Sequence, residues 1–125
     1  MTTAALARNR YLGDSVSTAS PQRLVVMLYD GLVQDLQLAQ QGIARGDVAL
    51  VHTRLVRAQA IVTELQSSLN LEGWDGARGL DKLYTYLLEL LVDANVRKDV
   101  EPVNQALAVV TPLQDAWRQA LGATS

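Results

Sequence analysis

Apolar residues along this chain recur at intervals of three and four. From Pro21 the series Leu24, Leu28, Leu32, Leu36, Ala39, Ile43 forms one helical face, widened on its flanks by Val25, Met27, Tyr29 and Val33. Ser20 before Pro21 predicts where this helix starts. The hydroxyl can accept from a first-turn amide, and proline lacks an N–H that would have had no partner there. Gly46-Asp47 predicts its end and the cap of the next helix, so short a link making the two antiparallel neighbours. The second helix is predicted over about Val48 to Leu69, where Val51, Leu55, Ala58, Val62, Leu65 and Leu69 alternate spacings of four and three, the seam geometry of bundles. Leu80, Leu83, Leu87, Leu90 or Leu91, and Ala94 make a third face. Val103, Leu107, Val110, Leu113 or Gln114, Trp117 and Leu121 make a fourth.

The punctuation between these faces is equally helical. The stretch from Asn70 to Gly79 carries Gly73, Gly76 and Gly79 around Trp74 and is the longest interruption. Asp99 reads as the cap of the fourth helix, with Pro102 tolerated in its first turn. Thr111-Pro112 predicts a bend of more than about 20° or a break recapped by Thr111, because proline removes one intrahelical bond and clashes with the preceding turn. Gly31, inside the first helix, predicts close approach of a neighbouring element. No run alternates with period two. The pattern predicts an all-α fold: an antiparallel up-down four-helix bundle over residues 20–122, preceded by a mobile or capping N-terminal segment over residues 1–19. Leu6, Tyr11, Leu12 and Val16 are that segment's apolar anchors.

Composition narrows the function classes. A chain of 125 residues can bury a core as one domain, and with no cysteine it has no disulfide, thiolate nucleophile or cysteine-ligated zinc. A cytosolic location is therefore permitted. Arg8, Asn9, Arg10 and Asp14 make the leader too polar for the apolar core of a signal peptide, and no run is long enough for a membrane span. A net charge of −2 with mixed signs supplies no basic field for nucleic acid. His52 is the one histidine, which excludes a di-iron bundle built on paired Glu-x-x-His, and it is read as a helix-surface residue. Phosphate loops and catalytic triads have no motif here, so neither an enzyme nor a cofactor or metal is expected.

What the pattern has in excess is apolar surface. A bundle helix needs about three apolar positions in seven. Leu24 to Tyr29 is unbroken in the first helix, and Tyr86, Leu87, Leu88, Leu90, Leu91 and Val92 crowd the third. Some of these residues must point outward, into a binding groove, or pack against the leader, a kinked fourth helix or a second copy of the chain.

Thr18-Ala19-Ser20-Pro21, Leu24 and Met27-Leu28-Tyr29-Asp30-Gly31, with Tyr11 and Val16 upstream, resemble the start of the FliS family, the flagellar export chaperones that hold flagellin before secretion. Ala58, Ile61 and Glu64-Leu65 resemble its second helix, Leu80, Leu83-Tyr84 and Ala94-Asn95 its third, and Ala116-Trp117 its last. Gly79 stands where the family usually has asparagine. The resemblance implies a cytoplasmic chaperone that binds the disordered C-terminal segment of flagellin, prevents its premature polymerisation and aids delivery to a component of the export gate. The groove is expected between the first two helices with help from the third. Its expected client-binding residues are Tyr11, Val16, Leu24, Met27, Leu28, Ala58, Ile61 and Leu65, with Tyr11 covering the empty groove. Two other readings stay open: a structural subunit that forms a homodimer, and an adaptor for another secreted protein.

Overall fold

The computed structural model describes residues 20–124, which form four helices and no strand. The expected leader, with Tyr11 and Val16, lies outside the described residues. Helix α1 spans Pro21–Arg45, α2 Val48–Ser67, α3 Ala77–Arg97 and α4 Val100–Thr124.

The helix ends follow local chemistry. Ser20 Oγ accepts from the Arg23 amide at 3.2 Å, as the Ser-Pro start predicts. At the other end Gly46 takes φ of 70°, and its N–H bonds the carbonyls of Gly42 and Ile43. A side chain there would be strained, which is why glycine ends α1. Asp47 then caps α2, accepting from the Leu50 amide at 3.1 Å. Helix α2 stops at Ser67, short of the expected Leu69. The hydroxyls of Ser67 and Ser68 both donate to the Glu64 carbonyl, at 3.2 and 2.8 Å, so local side chains take over where the ladder runs out. Helix α3 begins at Ala77, one turn earlier than the first apolar position of its face suggests, because Ala77 is itself fully buried. It ends on Lys98 in the left-handed region, φ 52°, whose ammonium group bonds both oxygens of Asn95 at 2.6 Å. Asp99 accepts from the Glu101 amide at 3.0 Å and caps α4 as expected.

Of the two outcomes expected at Pro112, the break recapped by Thr111 does not occur: α4 continues through the proline. Pro112 and Ala108 are both exposed, so the carbonyl that proline leaves without an intrahelical donor faces water. Val110 on one side and Leu113 and Trp117 on the other are packed on the core, so the helix keeps its contacts across the proline.

The helices pack in a ring, α1 on α2 and α4, α3 on α2 and α4. Tyr29, Leu32, Leu36, Leu55, Val62, Leu87, Leu91, Val103 and Val110 fill its centre, each at most 2% exposed, and each large side chain removed from water contributes about 1.5–3 kcal/mol. Polar pairs at the seams fix the register of neighbouring helices. Gln40 donates to Asn104 at 2.7 Å and Arg118 to Asp30 at 2.7 Å between α1 and α4. Arg54 donates to the buried Asp35 at 3.2 Å between α1 and α2, and Gln66 to Thr85 at 2.9 Å between α2 and α3. Burial pushes the Asp35 carboxyl above its usual range, against the pull of Arg54 and Arg57. The close approach expected at Gly31 is present: a Cβ there would stand 3.4 Å from Ile61 Cδ1.

Candidate functional site

The excess of apolar residues is divided between two surface features. In the crowded run of α1, Val26 and Tyr29 are buried, whereas Leu24, Val25, Met27 and Leu28 remain partly exposed. In α3, Leu87, Leu90 and Leu91 turn inward, Leu88 is half-buried, and Tyr86 and Val92 face solvent.

The first feature is a cleft of about 320 Å³ at the end of the bundle where α1 begins. Pro21, Leu24, Val25 and Leu28 line it from α1, and Glu64 and Leu65 from the last turn of α2. Leu69 and Trp74 line it from the connection to α3, Leu80 and Tyr84 from α3, and Trp117 from α4. Helix periodicity explains the α1 wall: Leu24 and Leu28 sit one turn apart on one face, with Pro21 a turn before. The connection carries Trp74 with half its surface in water, an unusual outlay of aromatic area at a loop. At the base, Tyr29 and Tyr84 join hydroxyls at 2.7 Å, and the Tyr29 and Trp117 rings lie tilted with centroids 6.5 Å apart. Burial pushes both phenols above the usual tyrosine value, so at neutral pH they are uncharged donors and acceptors. The second feature is a shallow groove of about 560 Å³ along α3, over Leu88, Val92 and Val96, the last 78% exposed.

The sequence-expected residues fall into three groups. Leu24, Leu28 and Leu65 line the cleft together. Met27 does not; it precedes the buried Tyr29 by two residues, about 200° round the helix axis, which turns it away from the buried face. Ala58 and Ile61 are elsewhere. Ala58 is 0% exposed within the core, and Ile61 packs over Gly31 in the α1–α2 seam. Ala58, expected at the groove, lies instead in the Val51, Leu55, Ala58, Val62 seam, and at 0% exposed it presents no surface to the cleft. Leu65 is in that seam too, at 5% exposed, and touches the cleft only as part of its floor. Reading the chain by helical period missed Trp74, Leu69 and Pro21. The signal for Trp74 was a large aromatic set among glycines, where burial of its own is hard to supply.

Among the described residues no catalytic arrangement accompanies the cleft. His52 is exposed on α2, its Nδ1 3.1 Å from Asn95 Nδ2. Among the same residues no group of three His, Cys, Asp or Glu side chains is placed to hold a metal ion, and no helix is long and apolar enough to cross a membrane.

The family model described as flagellar protein FliS matches residues 3–124. The chain is 34% identical to the flagellar secretion chaperone FliS of Bacillus subtilis over 111 residues, covering 89% of this chain and 83% of that protein. It is 33% identical to the protein of the same name from Campylobacter jejuni, covering 91% and 90%, and 32% identical to that of Salmonella typhimurium, covering 84% and 79%. The matched span includes every helix that lines the cleft.

Proposed function

Because this chain belongs to the FliS family of flagellar secretion chaperones, we propose that it binds the C-terminal segment of flagellin in the bacterial cytosol, keeps it from polymerising and presents it to the flagellar export apparatus. The observation that carries this reading is the cleft itself, with apolar walls from all four helices and half-exposed Trp74 at its rim. A segment that is disordered before assembly can lay apolar side chains into such a cleft. The cost of ordering it keeps the affinity moderate, which suits a client that must be released.

Leu24, Leu28 and Leu65 are the contacts retained from the sequence-expected set, joined by Leu69, Trp74 and Trp117, with Met27 at the flank. Tyr11 and Val16 are proposed to cover the cleft when it is empty and so to lower the apparent affinity by competition. Ala58 and Ile61 serve the reading as scaffold, holding α1 and α2 at the spacing the cleft requires. Calorimetry of the full chain against a peptide of the flagellin C-terminus tests it. Leu24→Glu and Trp74→Ala are expected to weaken binding at least about tenfold, since each removes apolar contact or introduces a desolvated charge, while circular dichroism stays that of the parent. Parental affinity in both variants would put the client elsewhere.

A second reading has one observation in its favour. The exposed Val92 and Val96 on α3 suit contact between two copies of the chain. Sedimentation of the isolated protein across concentration separates this from client binding, and Val96→Lys should remove any association it detects.

A further inference from the structure

Gly76 precedes α3 in a conformation that does not call for glycine. Its φ is −80° and its ψ −8°, a right-handed backbone that any residue can adopt without strain. Glycine there only adds freedom that folding must remove. What sets the position apart is the space beside it. A Cβ on Gly76 would overlap Trp74 Cζ3 and stand 2.8 and 2.9 Å from Cε3 and Cη2 of the same ring. The volume a side chain would need is thus taken by the indole of Trp74, which lines the cleft although Gly76 itself does not. The main chain of Trp74 is fixed from the same turn: its carbonyl accepts from the Ala77 amide at 3.2 Å, and Ala77 is fully buried.

We infer that Gly76 is a positioning residue for client binding: its missing side chain is the seat that holds the Trp74 ring at the cleft. The inference rests on the reading that the cleft holds a client peptide. With its carbonyl tied to the first turn of α3 and the edge of its ring against Gly76, the indole is in place before an occupant arrives, although half its surface is in water. An aromatic anchor already in place loses less freedom on binding than one that the occupant must order. A methyl group added at position 76 would meet the outer edge of this ring first, and the ring can turn away into solvent. The ring therefore yields while the helices stay, and the cleft loses a wall that the fold does not need.

The test compares the full chain with Gly76→Ala, Trp74→Ala and the double variant, by calorimetry against the flagellin C-terminal peptide and by circular dichroism through a thermal melt. Gly76→Ala is expected to weaken binding about tenfold while its spectrum and melting temperature stay those of the parent. Added to Trp74→Ala it is expected to change binding by no more than about twofold, because no ring remains to be displaced. On the free chain, nuclear Overhauser contacts between the Gly76 α-protons and the Trp74 ring are expected, and they report the seat with no peptide present. Four results would overturn the inference: binding by Gly76→Ala within twofold of the parent; an equal loss on the Trp74→Ala background, as expected if Gly76 met the client directly; a lower melting temperature or loss of the native spectrum in Gly76→Ala, which would make the glycine a residue of the fold; or absence of the Overhauser contacts. Failure of the parent chain to bind the peptide, with those contacts present, would overturn the client reading and with it the role of the seat in binding.

Discussion

The hydroxyl of Tyr29 on α1 meets that of Tyr84 on α3 at 2.7 Å, across the diagonal of the bundle and out of reach of solvent. Either oxygen can be the donor, and the Trp117 ring lies tilted against Tyr29 with centroids 6.5 Å apart. The pair ties together two helices that do not pack side by side, directly beneath the cleft.

Removing both hydroxyls of this pair should therefore cost less than the two single removals added together. Tyr84→Phe leaves the Tyr29 oxygen with one partner fewer in a dry site and is expected to destabilise the fold by about 1–2 kcal/mol in urea denaturation. Tyr29→Phe with Tyr84→Phe should cost less than the sum of the single changes, because the double variant leaves no hydroxyl to satisfy. Additive losses would show that the two oxygens act independently.

The same pair sets a pH dependence. Burial raises both phenols above the ordinary tyrosine value of 10.0. Above pH 10 the unfolded chain gives up these protons while the folded chain keeps them, so the folded state binds more protons and stability falls as pH rises. The contribution is complete below pH 10 and is lost progressively above it. Urea midpoints measured from pH 8 to 11 are expected to drop above 10, with a shallower slope in the double phenylalanine variant. A parallel slope in that variant would assign the alkaline loss to other groups.

Two glycines should respond to alanine in opposite directions. At Gly42 an added Cβ would meet Val51 Cγ2 at 2.8 Å and the Val51 backbone nitrogen at 3.4 Å, so α1 and α2 must separate locally. Gly42→Ala is expected to lose about 1–3 kcal/mol, the usual cost of overpacking. At Gly79, in the first turn of α3, nothing lies within 4 Å, and Gly79→Ala should gain about 0.5–1 kcal/mol from reduced backbone freedom in the unfolded chain. Thermal melts of the two variants against the parent decide both signs.

The contrast between Ala58 and Trp74 shows how far the sequence could be read. Four faces, their order, the Ser20 and Asp47 caps and the left-handed Gly46 follow from spacing and from the chemistry of each helix end, which are local properties. Ala58 sits in a seam that the spacing itself identifies, and what suggests a groove there is its small size, which leaves room for a helix to approach. Small size suits both a close helix contact and an open approach; burial settles it in favour of the contact. Trp74 belongs to a connection with no periodicity, and its place beside Leu24 depends on how α3 returns to the start of α1. Only the tertiary fold supplies that.

Ala58→Glu now carries a different expectation from that of a surface site. A carboxylate placed at a fully buried seam position has no partner there and no room. The change should unfold the bundle or cost on the order of 3–5 kcal/mol, as expected for an uncompensated buried charge. Loss of client binding by this variant would then report loss of fold. Native circular dichroism with a parental urea midpoint would contradict the placement of Ala58 in the core.

Helix α4 absorbs Pro112 without breaking. The missing N–H leaves the Ala108 carbonyl hydrated, and the packed Val110, Leu113 and Trp117 carry the helix past it. Pro112→Ala restores the bond to Ala108 and removes the steric conflict with the preceding turn, while giving the unfolded chain more freedom. The first effect reaches about 3 kcal/mol and the second offsets up to about 1 kcal/mol, so a net gain of about 1–2 kcal/mol is expected in urea denaturation. A variant no more stable than the parent would mean that hydration of the Ala108 carbonyl costs the helix nothing. The substitution also bears on function, because Trp117 stands on α4 beyond the proline and forms one wall of the cleft. If proline merely interrupts the ladder, stability rises and affinity for the flagellin peptide stays within about twofold of the parent. If proline sets the direction in which the last turns of α4 approach α1, Pro112→Ala shifts Trp117 against Tyr29, and peptide binding weakens even as the fold becomes more stable.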